Sequence, residues 1–81
     1  MGWDIQINPH AEAHGVSQEL VALLDDYLED FSMRYAALEP DPVLLAALRV
    51  FPVRGDDERA AVALLITRLA QGENVEVLLG H

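Results

Sequence analysis

Ser17-Gln18-Glu19-Leu20-Val21-Ala22-Leu23-Leu24-Asp25-Asp26-Tyr27-Leu28-Glu29-Asp30-Phe31-Ser32-Met33-Arg34-Tyr35-Ala36-Ala37-Leu38 is the longest patterned stretch of this 81-residue chain, and its reading decides the fold class. Leu20, Leu24, Tyr27, Phe31, Tyr35 and Leu38 recur every three or four residues, with Leu23 and Leu28 widening the stripe. That spacing predicts one amphipathic helix over 17–38, because side chains three and four apart share a helix face. Ser17 supplies an N-cap oxygen, and Glu19 lies in the first turn, where the helix dipole favours an anion. On this reading Asp25, Asp26, Glu29 and Asp30 form one acidic helix face. The pairs Asp25/Glu29 and Asp26/Asp30 are then i,i+4 neighbours of like charge, which costs a few tenths of a kcal/mol each. A chain that tolerates this repulsion gains an acidic face for a basic protein partner. Tyr27, Phe31 and Tyr35 become a core ladder, with Met33 and Tyr35 near its edge as partly exposed anchors.

Outward from this stretch, the signals are shorter. Trp3-Asp4-Ile5-Gln6-Ile7 alternates apolar and polar residues, the period of a half-buried strand, and Asn8-Pro9 ends it. The rest of 1–15 reads as a linker. Asp41 caps a second helix over 42–50, with Pro42 at its first position. Asp56, Asp57 and Glu58 open a third over 56–71, with Arg68 in its last turn and Gly72 just beyond its end. Val75-Glu76-Val77-Leu78-Leu79 gives a closing strand over 75–79.

The expected architecture is a single small domain over 1–81, mainly α within the α+β class. It has three helices and a short strand at each terminus, the two strands pairing into a small antiparallel or intersubunit sheet. In such a fold the runs 43–48 and 60–66, apolar all round, exceed what one other helix and a strand can cover. Leu44, Leu45, Leu48, Val62, Leu65, Ile66 and Leu69 are therefore the expected self-association surface, a homodimer being favoured.

Composition narrows the function. Fourteen acids against five arginines give a formal charge of −9, which argues against direct nucleic-acid binding. The absence of Cys excludes disulfides, thiolate zinc sites and a thiol nucleophile. There is no apolar run of the roughly 18 residues a membrane span needs. The N-terminus lacks a basic start followed by an apolar core, so no signal peptide is expected and cytoplasmic residence follows. Five isolated glycines make no phosphate-cradling loop. His10 and His14 flank Glu12, but between Pro9 and Gly15 they read as solvated histidines, and no metal or other cofactor is expected. Ser17, Ser32 and Thr67 are the only aliphatic hydroxyls, and no nucleophile–His–acid arrangement can be drawn from their spacing. An enzyme is not expected.

Residues 61–79 (AVALLITRLAQGENVEVLL) resemble the stretch that precedes the helix-turn-helix in bacterial antitoxins with an excisionase-type DNA-binding domain. The shared pattern is an apolar helix, a turn of small, Gly and acidic residues, and a Val-rich strand. The resemblance implies an N-terminal assembly or partner-binding module, and DNA binding does not carry over with it. The expected function is a non-catalytic protein–protein interaction module with regulatory character. It self-associates and presents Asp25, Asp26, Glu29 and Asp30 to a partner. The alternative is a DNA-mimicking, phage-type inhibitor of a nucleic-acid-binding protein, since seven acids face only Arg34 between Val16 and Asp41.

Overall fold

The computed structural model describes residues 2–8 and 11–80, and among these it has five strands and three helices. Strand β1 (Trp3–Ile7) is followed by β2 (Ala11–Val16) and helix α1 (Gln18–Asp25). Strands β3 (Leu28–Asp30) and β4 (Tyr35–Leu38) form a hairpin. Helices α2 (Pro42–Arg49) and α3 (Asp56–Ala70) then lead to β5 (Val75–Gly80). The strands form one antiparallel sheet in the order β2-β1-β5-β4-β3.

This corrects the expected fold class. Helix accounts for 40% and strand for 31% of the described residues, so the protein is α+β with a five-stranded sheet rather than mainly α. The expected helix over 17–38 stops at Asp25. Three local causes act together. Prolonging the helix would set acids at i,i+4, and α1 ends without a basic residue in its last turn to offset the carboxylates there. Asp30 Oδ1 accepts from the backbone N–H groups of Ser32 and Met33, at 3.0 and 3.2 Å, and from Ser32 Oγ at 2.9 Å. A side chain that satisfies the following backbone in this way offers the chain a turn in place of a helix. Arg34 then adopts φ 52°, a left-handed conformation no helix contains. Beyond these, β4 gains a full ladder with β5, in which Ala36 faces Val77 and Leu38 faces Val75.

The linker expected within 1–15 is also overturned over 11–16, which is strand β2. Ala11 and Ala13 are too small to register as a strand's apolar face, yet Ala13 is buried against the helices. Between the pairs Trp3↔Val16 and Ile5↔Ala13, β2 holds one residue more than β1. Gly15, at φ 70°, supplies the positive torsion such a bulge requires.

The terminal strands do pair, antiparallel, with Ile5 opposite Leu79 and Ile7 opposite Val77. One face of the sheet carries Ile5, Ile7, Ala13, Ala36, Leu38, Val75, Val77 and Leu79, all buried in one core with the helices. The other, bearing Asp4, Gln6, Glu12, His14 and Glu76, is open, as an antiparallel sheet allows. Ser17 and Asp41 cap α1 and α2 through side-chain oxygens, accepting from Leu20 N and Val43 N. Gly72, at φ 86°, terminates α3, with the Glu73 N–H bonded back to the Arg68 carbonyl.

Candidate protein-docking surface

The turn joining β3 to β4 is held from three sides. Arg34 closes it, its N–H donating to the Phe31 carbonyl at 3.4 Å. Its own carbonyl accepts from Leu79 N at 3.0 Å, extending the β4–β5 ladder into the turn. Its guanidinium lies 4.9 Å from the centroid of the Trp3 ring, within cation–π range. Nη2 lies 3.4 Å from Asp25 Oδ1 at the end of α1. Arg34 Nε is buried without a hydrogen-bond partner. Arg34 thus ties the hairpin to β1 and α1 through its side chain and to β5 through its backbone. Asp30 fixes the other side of the turn, and the hydrogen bonds from Ser32 and Met33 hold its carboxyl below the usual range.

On this fixed turn sit two large apolar side chains that the protein does not cover. Phe31 is 77% and Met33 66% exposed. The sequence reading placed Met33 at the margin of a stripe, and it is indeed exposed. Phe31, read as core, is more exposed still, because its position in a turn removes it from the stripe. Tyr35 is half-buried, and its hydroxyl donates to Glu76 Oε2 on the open sheet face. That hydrogen bond, with desolvation and the nearby charge of Glu76, pushes the phenol above its ordinary pKa.

The four acids of the expected helix face do not share a helix. Asp25 ends α1 and pairs with Arg34, Asp26 is the C-cap, and Glu29 and Asp30 belong to β3. Two that the sequence reading did not join to them complete the picture. Asp26, Glu29, Glu39 and Asp41 line a shallow depression of about 350 Å³ at the base of the hairpin, with Tyr27, Leu28 and Ala37. Among the described residues, Asp26, Glu29 and Glu39 have no cationic partner. Asp41 was legible only as a helix cap, since nothing in the local sequence shows that β4 returns it to the level of Asp26.

The residues expected to mediate self-association lie mostly inside the chain. Leu44, Leu48, Val62, Leu65 and Leu69 are buried in the chain's own core, and Leu45 and Ile66 pack partly buried against it. The physical reason is the sheet: five strands supply the cover that two could not. Val43 on α2 and Val50 at its C-cap are exposed, and single exposed apolar residues are ordinary on a protein surface.

His10 lies outside the described residues. His14 Nδ1 is 3.2 Å from Asp4 Oδ1, and Nε2 is 3.7 Å from Glu12 Oε2. Among the described residues no group of three His, Asp or Glu side chains could hold a metal ion. Nor is any described helix long and apolar enough to cross a membrane.

At the other end of the sheet, acids act on the backbone instead. Glu58, 1% exposed in the first turn of α3, accepts from Ser17 N at 2.6 Å and Arg54 N at 2.8 Å. Asp57 Oδ2 accepts from His14 N at 3.3 Å. From sequence these acids serve the helix dipole alone; the second role of Asp57 depends on strand β2, and that of Glu58 on the chain just beyond it and on the turn before α3. Desolvation works to raise the Glu58 carboxyl, but the hydrogen bonds from Ser17 and Arg54 outweigh it and its pKa is lowered. No family model, curated protein or solved structure matches the chain.

Proposed function

We propose that this protein is a non-catalytic protein-binding module that docks a basic, apolar partner segment on the β3–β4 hairpin. The observation that carries the reading is the pair Phe31 and Met33, exposed on a turn that Arg34 and Asp30 hold fixed. Aromatic anchors on a pre-ordered backbone bind without a large ordering cost. Glu29, Asp26 and Glu39 beside them set the partner's sign, and the overall charge of −9 steers it in. The apolar surface on which self-association was expected is used internally, so the hairpin takes its place as the docking surface.

The test is selection from a displayed random-peptide library on the immobilised protein, followed by affinity measurements on synthesised winners. The expected winners mix Lys or Arg with aliphatic or aromatic residues. They weaken with salt as screening grows, and lose about tenfold in affinity on Phe31→Ser or Met33→Ser, the scale of an interface anchor. Winners that bind the Phe31→Ser protein unchanged, or that are uniformly basic with no apolar preference, overturn the reading; the second result favours a charge-mimicking inhibitor.

A further inference from the structure

The two edges of the sheet are treated differently. At β2 the outer backbone is occupied: His14 N–H donates to Asp57, Ser17 N–H to Glu58, and α3 packs along the strand. At β3, among the described residues, the backbone groups of Leu28–Asp30 find hydrogen-bond partners only in β4 or within the hairpin. An unpaired edge is a template for another strand. We infer that the partner segment of the proposed function binds as an added strand on β3, in extended form. This rests on the docking reading and specifies its mode.

The occupant follows from charge and from the strand's period. Leu28 is half-buried against the core, whereas Glu29, the extra residue between the pairs Leu28↔Ala36 and Asp30↔Tyr35, is exposed. A strand laid beside β3 meets an apolar surface on one side and a carboxylate on the other. Alternating aliphatic and basic residues satisfy both, because successive side chains point to opposite faces. Asp26, Glu39 and Asp41 at the hairpin base add to the cation preference. A second copy of this chain fits poorly: β3 against β3 sets Glu29 and Asp30 beside the same acids, and like charges across a ladder are destabilising.

The probe is a synthetic peptide of alternating Lys and Val, compared with the same peptide N-methylated at every second residue. Methylation removes the donors along one edge but keeps side chains and charge. The expected result is affinity lower by about tenfold for the methylated peptide, reflecting the one or two ladder bonds that a three-residue edge can accept from its donors. The unmethylated peptide is also expected to slow amide exchange within Leu28–Asp30. Equal affinity of the two peptides, with sensitivity to Phe31→Ser retained, overturns strand addition and leaves the docking reading standing. Methylation sensitivity that is indifferent to Phe31→Ser supports strand addition and removes the tip from the site. Failure of both peptides to bind overturns strand addition.

Discussion

Glu58 of α3 accepts the backbone N–H of Ser17 at 2.6 Å, joining the first turn of one helix to the N-cap residue of another. Its second oxygen takes the N–H of Arg54 at 2.8 Å. A single buried carboxylate therefore satisfies two backbone donors from segments distant in sequence. Glu58→Ala is expected to cost about 2–4 kcal/mol, because a buried donor left without a partner costs about 1–3 kcal/mol. Urea unfolding of the two proteins measures it; a loss below about 0.5 kcal/mol, the usual effect of a surface change, would show that water replaces the carboxylate without penalty.

The same contact sets a pH dependence. The folded-state pKa of Glu58 is lowered, since the hydrogen bonds from Ser17 and Arg54 overcome desolvation. Such a group stabilises the fold fully above its unfolded pKa of about 4.3, and that contribution is lost as pH falls through the lower folded value. The difference in unfolding free energy between the wild type and Glu58→Gln should shrink between pH 6 and pH 3, about the span over which a carboxyl titrates. A difference independent of pH in that range would mean that the charge on Glu58 is immaterial.

Arg34 combines a left-handed backbone with the stack on Trp3. Arg34→Ala loses the stack and keeps the torsional strain, whereas Arg34→Gly loses the stack but relieves the strain. Arg34→Gly should therefore be more stable than Arg34→Ala by about 1 kcal/mol, the cost of the left-handed region for a residue with a Cβ. Both should change the emission of Trp3, the chain's only tryptophan. The reverse order of stability would place the turn's strain elsewhere.

Leu65 and Val50 separate core from surface. Leu65 is fully buried, and Leu65→Ala is expected to cost about 2–5 kcal/mol. Val50→Ser, at an exposed position, should stay within about 0.5 kcal/mol. Unfolding midpoints for both that shift with protein concentration would indicate that association contributes to stability.

Asp57 guards the β2 edge. Asp57→Asn removes the charge and weakens its bond from His14 N–H. Amide exchange at His14 should quicken while global stability changes little, because the contact is exposed. Unchanged exchange at His14 would mean that packing of α3, rather than its carboxylate, covers that edge.

Much of the site was hidden by a single ambiguity. Leu28, Phe31, Tyr35 and Leu38 fit a helical stripe and a hairpin equally well in spacing. Only the turn chemistry of Asp30 and Ser32 favoured the hairpin, and a three-residue strand carries almost no periodicity of its own. The acids named from sequence are real surface features, but the reading misplaced their geometry and left out Glu39.

What the sequence determined alone was everything settled within a few residues. Ser17 and Asp41-Pro42 open helices through their own oxygens and ring, Gly72 ends one by its torsion, and Trp3–Ile7 and Val75–Leu79 alternate plainly. Tertiary structure decided the rest. Ala11–Val16 is a strand because β1 and α3 flank it, and Tyr35–Leu38 is one because β5 presents an open ladder. Ladder hydrogen bonds and burial between segments tens of residues apart outweigh a local preference of a few tenths of a kcal/mol per residue. That choice turned a presumed helix face into a hairpin and set Phe31 and Met33 in solvent.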